Sequence, residues 1–258
     1  MGKFTEALRK AAEKRIERVE KQEEVKPYVI RTATDSKIDP HVVSFFDSSS
    51  PISEQYRILR TNLLAMDKNN PPKVIAISSA IHGEGKTITS INLAITFAQD
   101  LNKKSILLVD ADLRKGKLTK DLGLRAEVGL SDILGNGHDV QNSLLSIGIE
   151  NLHILPSGKK PGNPAELLGS KKMREMISEL RKQYDYVIFD CPPVVPVTDA
   201  GVLGAHCDGV VMVLQAGRTQ RGVIVHAQDL LSAARVKVLG YVMTNIEYHL
   251  PQYIYRYL

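Results

Sequence analysis

The run Ser78-Ser79-Ala80-Ile81-His82-Gly83-Glu84-Gly85-Lys86-Thr87 constrains this chain more than any other stretch. It follows an apolar segment, Lys73 to Ser78, and opens a helical pattern from Lys86 to Ala98. That strand, loop and helix sequence is the context a phosphate-binding loop requires, with Ala80 standing where the first glycine usually sits. Gly83 and Gly85 let the backbone turn so that successive amides and the helix N-terminus face one anion. Lys86 supplies a charge for the terminal phosphates and Thr87 a hydroxyl suited to Mg²⁺. A glycine turn that only capped a helix would need neither. His82, Gly83, Glu84, Gly85, Lys86, Thr87 and Ile88 are therefore the residues expected at the nucleotide, and the ligands are ATP and Mg²⁺.

Further short apolar, β-branched runs fall at Ser105 to Asp110, Leu152 to Leu155, Tyr186 to Asp190, Gly209 to Leu214 and Val238 to Met243. Helical periodicity predicts helices at Ser53 to Met66, Pro164 to Lys182 and Thr219 to Ala234. Buried strands alternating with helices predict an α/β fold, a mostly parallel sheet flanked by helices, here a P-loop NTPase of deviant Walker type. Such sheets place ligands at the carboxyl ends of their strands. Two strand ends carry acids there: Asp110 and Asp112, spaced to share one side of an extended chain, and Asp190. Thr87 is the expected inner contact to Mg²⁺, with Asp112 and Asp190 holding its waters. Asp110 is assigned to the attacking oxygen, and spacing does not separate its role from that of Asp112.

Composition narrows the class. The 258 residues are 43% hydrophobic and 24% charged, a globular mixture that excludes a disordered or membrane-embedded chain. The net charge of +5 comes without a run of five like charges, so no nucleic-acid partner is expected. Cys191 and Cys207 alone make no disulfide framework and read as reduced, buried thiols. Residues 1–26 have no apolar signal region; Phe4, Leu8, Ala12, Ile16 and Val19 instead predict an amphipathic helix. Pro27, Asp39-Pro40 and Ser48-Ser49-Ser50-Pro51 mark 27–51 as linker, leaving 52–246 as the folded domain and 247–258 as a tail. Four of the nine tyrosines, Tyr248, Tyr253, Tyr255 and Tyr257, lie in that tail.

The phosphate loop, the D-x-D-x-R strand end at Asp110 to Arg114 and the Asp190-Cys191-Pro192-Pro193 strand end together resemble the bacterial tyrosine kinases (BY-kinases) of the capsule and exopolysaccharide type. These are relatives of the partition and cell-division ATPases. Further matching segments are the E-x-x-R-x-x-R helix at Glu54, Arg57 and Arg60, Leu155-Pro156-Ser157-Gly158, Asn163 to Leu168 and Thr198-Asp199-Ala200.

The resemblance implies a kinase that phosphorylates its own tail tyrosines in trans and regulates polysaccharide synthesis and export. It implies a homo-oligomeric ring held through Glu54, Arg57 and Arg60, which the residues alone would suggest only as a local surface pair. It implies a separate membrane activator of the polysaccharide co-polymerase type, a cognate tyrosine phosphatase, and a cytoplasmic location at the inner face of the membrane. Asn245 or Thr244 is the expected adenine contact. The second class of function is an ATPase switch of the partition type, with no tyrosine product. Ile81 stands where those ATPases carry a second lysine, which favours the kinase.

Overall fold

The structure, a computed structural model, describes residues 31–32 and 38–246; the expected helix within 1–26 and the tyrosine-bearing stretch 247–258 lie outside the described residues. In chain order the elements are β1 (Arg31–Thr32), α1 (Val43–Phe46), α2 (Pro51–Ala65), β2 (Val74–Ser79), α3 (Lys86–Ala98), β3 (Ile106–Asp110), α4 (Leu118–Asp121) and α5 (Leu130–Asn136). They continue with β4 (Leu145–Ser146), β5 (Leu152–Leu155), α6 (Pro164–Leu168), α7 (Lys171–Gln183), β6 (Tyr186–Asp190), α8 (Asp199–Gly204), β7 (Gly209–Gln215), α9 (Arg221–Ala233) and β8 (Val238–Thr244).

The eight strands form one sheet in the order β1-β4-β5-β3-β6-β2-β7-β8. All neighbours are parallel except β4 and β5. Side-chain alternation divides each central strand between two cores. Val74, Ala76, Val187, Phe189, Val210 and Met212 point to the layer that α5 to α9 cover, whereas Ile75, Ile77, Ile188, Val211 and Val213 pack beneath α2 and α3. Both faces are therefore dry, which is why these strands read as continuous apolar runs. After β2 the chain crosses through α3 to β3 and leaves a gap that β6 later fills. The carboxyl ends of β2, β3 and β6 consequently open into one crevice.

Two sequence expectations need correction. Within the expected linker 27–51, residues 38–51 are packed: Val42 and Ser44 are fully buried and Asn92 of α3 holds the segment, accepting from Ser44 N at 2.8 Å and donating to the His41 carbonyl at 3.0 Å. Pro40 lies in a turn and Pro51 opens α2, so these two prolines belong to a packed strap. The single helix expected over 164–182 is two. Gly169 and Ser170 interrupt it, and Ser170 caps α7 by accepting from Met173 N at 3.1 Å. Ser50 does the same for α2 through Ser53 N at 3.1 Å, with Pro51 at the first helical position. No helix among the described residues is long and apolar enough to cross a membrane.

Candidate active site

The phosphate loop leaves β2 at the centre of the sheet and enters α3. Gly83 and Gly85 hold φ of +83° and +88°, the left-handed region that only glycine adopts without strain. A Cβ on Gly83 would also lie 2.9 Å from Arg218 Nη1. The turn leaves the first amides of α3 without intrahelical partners and facing the crevice, the arrangement that receives a phosphate.

Lys86 and Thr87 then point to the strand-end acids. Lys86 Nζ lies 3.1 Å from Asp112 Oδ2 and 3.4 Å from Asp190 Oδ2. Thr87 Oγ1 donates to Asp190 Oδ2 at 2.7 Å. Ser90 Oγ lies 3.1 Å from Asp190 Oδ1 and 2.9 Å from the Lys86 carbonyl, sharing one proton between them. Asp110 accepts from Asp112 N and from Leu118 N, both at 3.2 Å. The structure thus brings Lys86, Thr87, Asp110, Asp112 and Asp190 together from three elements.

All three acids are buried, and Lys86 alone sits among them. Burial pushes Asp110 well above the ordinary carboxylate range, and the neighbouring Asp190 charge pushes in the same direction. Burial also raises Asp190, with Lys86 and the Thr87 hydroxyl opposing it. For Lys86 the balance is reversed. Burial alone would lower its pKa, but Asp190 and Asp112 hold the ammonium above its usual range. The donor set of one hydroxyl and flanking carboxylates is hard and oxygen-based, which suits Mg²⁺.

Glu84 does something the sequence did not announce. It is 1% exposed although it lies in the loop. Its Oε2 accepts from Ile81 N at 2.7 Å, and its Oε1 accepts from Gln215 N at 3.3 Å and from the Thr219 hydroxyl. Thr244 Oγ1 donates to the Glu84 carbonyl at 2.8 Å, and Arg218 Nη1 to the Gly83 carbonyl at 3.1 Å. Glu84 therefore ties the loop to the turn after β7 and to the end of β8. Its side chain is spent on the protein, so the part it can offer a nucleotide is its backbone amide.

His82 is exposed at the lip, and its imidazole is held below its usual range by burial and then by Lys115, against the pull of Asp112. Ile88 is partly buried and packs against the α2 and α3 core, with its carbonyl bonded to Asn92. Asn245 is exposed just past β8 with φ +53°. Thr244 is committed to Glu84. Arg114 Nε and Nη2 grip the fully buried Asp199 carboxylate, both at 2.8 Å, a bidentate pair that locks the loop after β3 to α8. Cys191, next to Asp190, is fully buried; Cys207 is partly exposed by surface and also lies against the core.

Glu54, Arg57 and Arg60 lie on α2, remote from the phosphate loop. Arg57 Nε donates to Glu54 Oε2 at 2.6 Å, and its Nη1 donates to the Ser48 carbonyl. Arg60 Nη1 donates to the Thr96 carbonyl at 2.6 Å and stands 3.6 Å from Asp100 Oδ2, while its Nε is buried without a partner. The two arginines line an open groove with Gln99, Asp100 and Leu101.

With this geometry the chain can be set beside known proteins. The family described as AAA domain matches residues 72–228. Tyrosine-protein kinase YwqD of Bacillus subtilis (strain 168) is 38% identical over 216 residues, 84% of this chain and 90% of YwqD. Tyrosine-protein kinase CpsD of Streptococcus agalactiae is 33% identical over 201 residues, 78% of this chain and 86% of CpsD. Among solved structures, the chimerical protein CapA2B2 superposes with a TM-score of 0.76 at 31% identity, covering 86% of this chain and 96% of that one.

Proposed function

The chain belongs to the bacterial tyrosine-protein kinases of the capsule and exopolysaccharide type, and from that premise we propose that it transfers the γ-phosphoryl group of ATP to the tyrosines of stretch 247–258 on a neighbouring copy. The observation that carries the site assignment is the convergence of Lys86, Thr87, Asp110, Asp112 and Asp190 at one crevice behind a nucleotide-binding loop. Gly83, Gly85 and the first amides of α3 receive the phosphates, with the backbone of His82, Glu84 and Ile88 completing the wall. Lys86 draws charge from the terminal phosphates. Thr87, with Asp112 and Asp190 beside it, would hold Mg²⁺ and its waters, and the ion would supply positive charge for the phosphate oxygens. Asp110 accepts the tyrosine proton as the new O–P bond forms and the bond to the leaving ADP oxygen breaks. Its raised pKa makes it a stronger base than a solvated carboxylate. Asn245 contacts the base.

In the same reading Glu54, Arg57 and Arg60 hold copies in a ring, because Arg forks reach a neighbour's carboxylates and carbonyls bidentately. A membrane activator of the polysaccharide co-polymerase type recruits the ring to the inner face of the membrane, and a tyrosine phosphatase resets it. Intact-mass measurement of the full chain with and without Mg-ATP tests the assignment. The expected result is mass gained in phosphate steps that map to Tyr248, Tyr253, Tyr255 or Tyr257. Release of free phosphate with no gain in mass would make the protein an ATPase switch instead.

A further inference from the structure

The loops that follow β3 and β5 leave the sheet side by side, since Val109 and Leu155 are register partners. They touch again at the crevice mouth. A Cβ on Gly116 would strike Ser157 Oγ, and it would stand 3.7 Å from Asp110 Oδ2. This pair of loops therefore forms the rim next to the acid that faces the acceptor oxygen. Lys115 and Lys117 flank Gly116, Lys159 and Lys160 follow Ser157, and all four are exposed. None of the four enters an ion pair among the described residues, whose lysine pairs use Lys86, Lys104, Lys171 and Lys182. Lys115 and Lys117 both act on His82 across the mouth, and the acid that faces Lys117 is the half-buried Asp121. The Asp132 carboxylate is turned to the Gly129 and Lys159 amides, so it fixes the second loop.

Four exposed lysines on two adjoining loops give this edge a positive potential that an anionic partner meets favourably. We propose that this lysine rim selects acceptor segments whose tyrosine is flanked by acidic residues, so that acidic, tyrosine-bearing segments of other proteins form a second substrate class. The stretch 247–258 of this chain is not such a segment: it holds one acid, Glu247, beside His249 and Arg256. The inference rests on the kinase reading, because the rim matters only if the crevice accepts a tyrosine.

The test is binding, which needs no turnover. Labelled peptides with a central tyrosine flanked by Glu, or by Gln at the same positions, are titrated against the full chain with Mg-ADP, followed by fluorescence anisotropy. The wild type is expected to bind the Glu peptide roughly tenfold tighter at low salt, as several exposed ion pairs together would give, and to lose that margin at about 0.5 M salt. Lys115→Ala/Lys117→Ala/Lys159→Ala/Lys160→Ala should bind both peptides alike while its ADP affinity is unchanged. Equal affinity of the wild type for both peptides, or a preference that survives the four changes, overturns the proposal. So does lysine-dependent binding of phosphatidylglycerol vesicles without any peptide preference, which would assign the rim to a lipid surface. Failure of the kinase reading appears separately, as no phosphate mass after Mg-ATP.

Discussion

Thr87 Oγ1 donates its proton to Asp190 Oδ2 across 2.7 Å, joining the first turn of α3 to the end of β6. Because the proton faces the carboxylate, the hydroxyl lone pairs are left to accept, and Lys86 Nζ lies 3.4 Å from that oxygen. Asp190 thereby orients the proposed metal contact, and Ser90 holds the carboxylate's other oxygen. Asp190→Asn should consequently raise the Mg²⁺ concentration needed for half-maximal transfer more than it lowers maximal transfer. Asp112→Asn should behave similarly. Mg²⁺ titrations monitored by phosphate mass check both, and unchanged half-saturation in either variant removes that residue from the metal site.

Lys86→Met keeps the bulk and removes the charge beside the phosphates. Transfer should fall by about a thousandfold or more. Removing the cation also leaves buried acids uncompensated, a change typically worth about 3–5 kcal/mol, part of which proton uptake by the acids recovers. The variant should therefore melt lower than wild type at neutral pH yet retain its far-UV circular dichroism. Near-normal turnover in the folded variant would contradict the site.

Asp110 gives the chain a pH signature. Its folded pKa is raised above the ordinary carboxylate value, so its contribution to stability is fully present below that value and is lost as pH rises through the folded pKa. Asp110→Asn cannot ionise and should melt higher than wild type at neutral pH, with the two curves converging as pH is lowered toward the ordinary carboxylate range. Phosphate transfer by the same variant should fall much further than its ADP affinity. A constant melting difference across that window would show that burial of the ionised carboxyl is not destabilising.

Glu84→Ala removes the brace between the phosphate loop and the turn after β7. Hydrogen bonds to a buried charge suggest that KM for ATP rises about tenfold, with kcat changed far less. Thr219→Val should give a smaller effect of the same kind, and Thr219→Ser should restore it. A loss in kcat with KM intact would assign Glu84 to the chemistry instead.

Arg57→Ala/Arg60→Ala tests the ring. Within one copy these arginines bond Glu54, the Ser48 carbonyl and the Thr96 carbonyl, contacts that an isolated chain already satisfies. Static light scattering on the full chain, with activator fragment added if assembly needs it, should show large particles for wild type and small ones for the variant. Equal assembly of the two would move the interface elsewhere.

The sequence made some of this site legible and hid the rest for a physical reason. Glycine pairs, a lysine at a loop end and acids at strand ends are local patterns, and the strands that carry the acids, β3 and β6, coincide with apolar runs. Glu84 looked like any loop acid. Its partners Gln215 and Thr219 lie more than a hundred residues away, and only the pairing of β2 with β7 brings them near. The Arg114 and Asp199 pair was hidden in the same way, because neither residue's spacing reveals the other. The strap 38–51 carries genuine turn residues, while its buried anchors, Val42 and Ser44, are short and unremarkable in sequence. Gly169 lay inside a convincing helical period that a capped break divides.

Cys191 has a use that its burial alone creates. Cys191 follows Asp190 in the chain, but its thiol is buried in the apolar layer that α5 to α9 cover, and burial pushes its pKa well above the usual range, so the native fold presents neither access nor thiolate. Alkylating reagents should therefore spare Cys191 for as long as the sheet stays closed. Modification of that sulfur becomes a clock for opening of the β6 region, and a nucleotide that binds the folded state should slow it. An electrophilic inhibitor aimed at this cysteine would find it only in molecules that have already come apart.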